Sequence, residues 1–147
     1  MKYTLFLSCI NGFEANCISD LKELGVEQLN QYAGGIEFEG FLKDIYKINQ
    51  SSRYGMHLYW EIVKLPFNED NLYKDIYNIN WDKYLNNIHS FSVKVKTKNR
   101  NLNSQYTGLV IKDGIVDYFK KKYRKRPNVD RHNPDILIYV YINNKEI

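Results

Sequence analysis

Cysteine, histidine and proline are scarce, and each shortage closes off a class of chemistry. The two cysteines, Cys9 and Cys17, are spaced to suit neither a zinc site nor a redox pair. Without a disulfide framework, a reducing intracellular location, the cytoplasm, is the expectation. The three histidines, His57, His89 and His132, are far apart in the chain. No nucleophile–base pairing or metal-ligand spacing surrounds them, so no catalytic or metal residue is assigned. No apolar run approaches the roughly 20 residues that a membrane span needs. The opening MKYTLFLSCINGFEAN imitates a signal peptide, but its apolar run is short and no small-x-small cleavage site follows it. It reads as a buried strand.

What the chain does have is tyrosine and an uneven distribution of charge. There are 13 tyrosines in 147 residues, and Asn, Ile and Lys are also heavily used, a bias that an AT-rich genome can produce. Apolar content of 44% and charged content of 26% are ordinary for a globular protein. The net charge is +4, yet the window Lys112–Arg131 alone holds eight Lys/Arg against three Asp, or +5. The remainder is therefore close to neutral. Such concentration points to a surface for a polyanion, with a solvated helix end as the alternative.

Taken in order, Tyr3–Ile10 is a strand, followed by a helix from Asn11 or Gly12. Phe13, Cys17, Leu21 and Leu24 form its inner stripe, Glu14, Asp20 and Lys22 face outward, and Gly25 ends it. A second strand is expected over Val26–Tyr32, and Ile36–Glu39 is its hairpin partner after Ala33-Gly34-Gly35. Leu42, Ile45, Tyr46 and Ile48 share one face of a second helix, and Met56–Leu65 makes a fourth strand. Strand-helix-strand-strand-helix-strand is the split β-α-β order of ferredoxin-like folds.

The stretch Phe67-Asn68-Glu69-Asp70, polar after its first residue, marks a boundary, so domains of 1–66 and 67–147 are expected. Asn68 can cap the next helix, whose stripe is Leu72, Ile76 and Ile79. Phe91, Val93 and Val95 alternate with Ser92, Lys94 and Lys96, a strand with one basic face. A longer helix starts near Ser104 or Tyr106, with Ile111, Ile115, Val116, Phe119 and Tyr123 on one face. Lys112 falls in that arc and must either snorkel or aim its ammonium at something negative. Pro127 and Pro134 bound a basic loop. Ile136–Tyr141 is apolar on both faces and so reads as a central strand.

Several segments carry a family resemblance: NSQY at 103–106, VIKDGIVDYF at 110–119, RPNVD at 126–130 and PDILIYV at 134–140. With NGFEANCISDLKELG, YAGGIEFEG and NINW upstream, the chain resembles the amino-terminal region of bacterial 23S ribosomal RNA guanine-N2 methyltransferases. The resemblance implies an α+β chain. Its first part is a ferredoxin-like domain, and its second is an α/β THUMP domain lacking its last strand. It also implies S-adenosylmethionine and methyl transfer for a longer parent, through a covalently linked catalytic domain. No G-x-G cofactor loop or Asn/Asp-Pro-Pro-aromatic motif is present in these residues, so no enzyme activity and no cofactor are expected of this stretch.

The implied role is capture of structured RNA, 23S ribosomal RNA above all, with neither DNA nor membrane as partner. Lys120, Lys121, Lys122, Arg124, Lys125, Arg126 and Arg131 can neutralise phosphates, with Lys112 in reach and Lys94, Lys96, Lys98 and Arg100 extending the surface. Asn103, Ser104, Gln105 and Asn128 can add neutral hydrogen bonds, although Ser104 can equally be a helix cap. Asp130 and Asp135 are both expected to fix the loop, Asp130 by pairing with Arg126 or Arg131. A tRNA thiouridine synthase front end and a ferredoxin-like sensing domain without RNA are the alternatives.

Overall fold

The computed structural model describes residues 1–143 and 145–147, and its contacts divide the chain into Met1–Val63 and Lys64–Ile147. Among the described residues no helix is long and apolar enough to cross a membrane.

The first unit runs β1 (Lys2–Ser8), α1 (Glu14–Glu23), β2 (Asn30–Tyr32), β3 (Gly35–Phe41), α2 (Leu42–Ser51) and β4 (His57–Trp60). The strands form one antiparallel sheet in the order β2-β3-β1-β4, the ferredoxin-like arrangement expected from the element order. Leu5 stands opposite Phe38 and Leu7 opposite Ile36. Those four pack with Cys17 and Leu21 of α1 and Ile48 of α2. Helix α1 ends in a Schellman motif: Val26 N–H donates to the Leu21 carbonyl and Gly25 N–H to that of Lys22. Gly25, at φ 81°, takes the left-handed position that closes it.

Four expectations for this unit are corrected. Asp20 does not face outward; it is 2% exposed. It lies three residues from Cys17, on the inner face, where three donors satisfy its carboxylate: Ser52 Oγ at 2.9 Å, Arg53 N at 2.8 Å and Arg53 Nε at 2.8 Å. Phe13 precedes α1 and lies exposed against Tyr54 instead of joining the stripe. On α2, Leu42 and Tyr46 are 52% and 68% exposed, which leaves Ile45 and Ile48 as the packing face. Strands β2 and β4 are also shorter than the expected Val26–Tyr32 and Met56–Leu65, because sheet pairing covers only part of each.

The second unit begins with a 3-10 turn (Glu69–Asn71) capped by Asn68, whose Oδ1 accepts from Asp70 N at 3.0 Å. Then come α3 (Leu72–Tyr77), a second 3-10 turn (Trp81–Lys83), β5 (Ser90–Thr97), α4 (Ser104–Tyr123), β6 (Asn128–Val129) and β7 (Ile136–Ile142). Parallel pairing gives the order β6-β5-β7. The buried residues Phe91, Ile138, Val140 and Ile142 of the sheet, Ile111, Ile115 and Phe119 of α4, and Leu72 and Ile76 of α3 build its core. Trp81 closes it with its Nε1–H on the Ile76 carbonyl at 2.8 Å.

Here β5 is the central strand, and β7 pairs with β5 alone among the described residues. The second apolar face of β7 is Leu137, Tyr139 and Tyr141, and Leu137 is 53% exposed. Hydrophobic alternation on both faces overstated its burial, since tyrosine tolerates a wet edge. The short β6, inside the basic loop, was not expected. Leu65 and Ile147 exchange N–H···O bonds of 2.8 and 2.9 Å, and Phe67 N donates to Lys145 O at 2.8 Å. The segment before Pro66 therefore belongs to the second unit, and the division falls ahead of the polar break at 67–70.

Candidate nucleic-acid interface

Helix α4 positions most of the predicted site. Its inner stripe of Ile111, Ile115 and Phe119 is fully buried, which fixes its rotation and sends Lys120 and Lys121 outward. At its start the cap is Asn103, not Ser104: Asn103 Oδ1 accepts from Gln105 N at 3.0 Å and Tyr106 N at 3.1 Å. Two of the N–H groups that make a helix start attractive to anions are thus already satisfied. Gln105 remains exposed and Ser104 half-buried.

At the other end, Lys120, Lys121 and Lys122 occupy the last turn, favourable against the negative end of the helix. Arg124 follows in a left-handed conformation, φ 55°, with its N–H on the Lys120 carbonyl at 2.9 Å. That residue turns the chain into exposed Lys125 and Arg126, buried Pro127, and β6 with Asn128. Asp130 pairs with neither arginine. Its Oδ1 instead accepts from His132 N at 2.9 Å and Asn133 N at 3.1 Å, closing a local turn. Backbone bonds from Asn133 and His132 hold its carboxyl below the ordinary range. Asp135 does fix the loop: its Oδ2 accepts from Ser90 N and Ser90 Oγ, both at 2.8 Å.

The cations are not equivalent. Lys122 is bonded to Asp82, and its ammonium lies 5.6 and 5.5 Å over the rings of Tyr118 and Tyr123. Both tyrosines also donate to that carboxylate, at 2.8 and 2.7 Å. The Lys122 bond, then that of Tyr123, pulls the Asp82 carboxyl down to about 2. Lys112 is half-buried, and its ammonium meets Asp113 Oδ1 at 2.6 Å. Lys121 lies 5.7 Å over the Tyr77 ring. Among the described residues, Lys120, Arg124, Lys125, Arg126 and Arg131 are exposed and form no ion pair. Arg100 is exposed in the turn after β5, Lys94 and Lys96 on one face of that strand, and Lys98 lies 6.0 Å over Tyr141.

Sequence reasoning missed a groove of about 590 Å³ lined by Tyr73, Tyr77, Asp117, Lys120 and Lys121. Tyr73 and Tyr77 lie one turn apart on α3, with ring centroids 6.2 Å apart and planes 18° from parallel. Tyr73 donates its hydroxyl to Asp117 Oδ2 at 2.7 Å, a bond that raises its phenol above the ordinary value. The i, i+4 spacings Tyr73/Tyr77 and Asp117/Lys121 were visible in sequence, but not that α3 and α4 set them side by side.

Comparison with known proteins agrees with both units. Residues 67–147 match the family model of the THUMP domain, and residues 4–57 match that of the RlmL ferredoxin-like domain. The ribosomal RNA large subunit methyltransferase K/L of Buchnera aphidicola is 38% identical over 140 residues, 94% of this chain but 20% of that protein. A possible methylase from Clostridium difficile 630 superposes with a TM-score of 0.86 at 22% identity, over 99% of this chain and 40% of the other. A 4-thiouridine synthetase solved with RNA and ATP gives a TM-score of 0.60 at 11% identity, covering 98% and 39%. The chain spans 19–36% of the length of the curated relatives it matches. On the match to more than half of its length, the chain belongs to the THUMP-domain family.

Proposed function

We propose that this chain is the RNA-holding region of a ribosomal RNA methyltransferase, presenting structured 23S ribosomal RNA to a covalently linked catalytic domain. The reading takes S-adenosylmethionine as that domain's methyl donor, guanine N2 as its target and the cytoplasm as its place. The connection from β5 to α4, residues 98–103, reads KNRNLN and has no glycine with which a backbone could approach such a cofactor. No step is therefore assigned to the cofactor within this chain. Its own residues bind and orient.

The observation that carries the reading is the run of exposed cations without ion partners at the end of α4: Lys120, Arg124, Lys125, Arg126 and, across the loop, Arg131. Arg124 and its neighbours project from a tight left-handed turn, which gathers their charges around one helix end. Up to about five phosphate contacts of this kind give binding of roughly 10⁻⁴–10⁻⁶ M that weakens steeply with salt. A-form RNA hides its base edges in a deep groove, so the backbone is what these side chains can read. Filter binding of a helical ribosomal RNA fragment between low and high salt tests this. Salt-insensitive retention, or none, removes the electrostatic reading.

A thiouridine synthase front end shares the fold and would hold RNA by the same physics. The 38% identity to a large subunit methyltransferase, against 11% to the synthetase, favours the first reading.

A further inference from the structure

Helix α4 packs on the face of the second sheet that carries Phe91, Ile138 and Val140. Register places Lys94 and Lys96 of β5 on the opposite face, beside Tyr139 and Tyr141 of β7, with Leu137 next to Ser92. Lys94 and Lys96 are exposed there, as are Leu137 at 53% and Tyr141 at 41%. Lys98 continues the row, its N–H on the Ile142 carbonyl at 3.0 Å. Among the described residues none of the three lysines forms an ion pair. The two strands bring no carboxylate to this face.

At the basic turn after α4 the cations gather around a helix end; on this face they lie beside exposed leucine and tyrosine. RNA phosphates would meet the ammonium groups and leave Leu137 in water. Nor is the Tyr141 ring an open platform for a base, because the Lys98 ammonium already lies 6.0 Å from its centroid. A protein helix supplies both carboxylates and apolar surface. Lysines two residues apart on a strand stand about 7 Å from each other, and carboxylates four residues apart on a helix about 6 Å. We propose that the face of β5 and β7 turned away from α4 docks an acidic, amphipathic helix of a partner protein. Its carboxylates pair with Lys94 and Lys96, and its apolar stripe covers Leu137 and the edge of Tyr141. The surface does not depend on the RNA-holding turn.

The probe is a synthetic helical peptide of glutamate, alanine and leucine, with glutamates four residues apart and leucines on one face. Titrated into the full 147-residue chain, it should shift the backbone amide signals of β5 and β7. Shifts confined to Lys120–Arg126, or none, overturn the proposal. The peptide should bind about tenfold tighter than polyglutamate of equal charge, the scale of one leucine leaving water. Equal affinity would make the face a mere ion exchanger and overturn the proposal. Leu137→Ser should remove the gain, while Leu137→Met keeps it and controls for folding; a gain indifferent to Leu137→Ser overturns the proposal too. Lys94→Glu with Lys96→Glu should abolish peptide binding. A saturating blunt RNA duplex should leave the peptide bound. Displacement by the duplex would assign the face to RNA and sink the proposal, whereas a duplex that fails to bind at all removes the RNA-holding reading and leaves this one standing.

Discussion

Gly114 on α4 faces Ile76 on α3 so closely that a Cβ placed on Gly114 would stand 3.0 Å from Ile76 Cγ2 and 3.4 Å from the Tyr73 carbonyl oxygen. This contact sets the spacing of the two helices, and with it the positions of Tyr73, Tyr77 and Asp117. A glycine in mid-helix costs about 1 kcal/mol relative to alanine. Here it permits an approach at which even a Cβ would press on Ile76.

Gly114→Val should therefore destabilise the chain by about 1–3 kcal/mol, the cost of overpacking a filled contact. Urea denaturation followed by circular dichroism measures it. An unchanged midpoint would mean that α3 is free to shift, and that the groove is not held at its present width.

Asp20 is the polar centre of the first unit. Burial pushes its carboxyl up, but hydrogen bonds from the Arg53 backbone, the Arg53 side chain and Ser52 outweigh this and hold it below its ordinary value. Asp20→Ala would leave these donors facing an apolar helix surface, at a cost of about 2–4 kcal/mol. Thermal unfolding of the variant should show a clear fall in midpoint. Exposed Arg53→Ala should cost less, since it removes the partner that water can replace.

Asp82 links acid stability to the end of α4. Its carboxyl is lowered from 3.8 to about 2 in the folded chain, mainly by the Lys122 bond. A depressed carboxylate stabilises fully above its unfolded value and loses that contribution as pH falls through the folded one. Melting temperature should thus decline between about pH 4 and pH 2, and Asp82→Asn should flatten the part that this group supplies. A variant declining as steeply as the wild type would show that the Asp82 cluster does not hold in solution.

Charge reversal separates binding from folding. The triple variant Lys121→Glu, Arg124→Glu, Arg126→Glu should abolish RNA retention while the far-ultraviolet spectrum stays native. Retention by the folded triple variant would move the site to the basic face of β5 around Lys94. Arg124→Gly offers a sharper split. Relief of the left-handed strain should raise stability by about 1 kcal/mol, while RNA binding weakens and its salt dependence falls by about one phosphate.

Local patterns carried a good deal. The alternation of Phe91, Val93 and Val95, the stripe of Ile111, Ile115 and Phe119, and the glycine after α1 each follow from backbone periodicity, which reads within one or two turns of chain. The same locality explains the acidic turn at Asp135 and the basic run from Lys120 to Arg126. It also explains the errors: a period of 3.6 cannot say whether Asp20 will find three donors, or whether the apolar far face of β7 will be covered.

Which cations remain available was decided only by packing. Lys122 and Asp82 are separated by 40 residues and Tyr73 and Asp117 by 44, and nothing in either neighbourhood announces the other. They meet because the buried faces of α3 and α4 close on Gly114 and Ile76. Charge along a chain can be counted from its letters. Whether each charge is spent inside the molecule or left for a partner depends on contacts between distant segments.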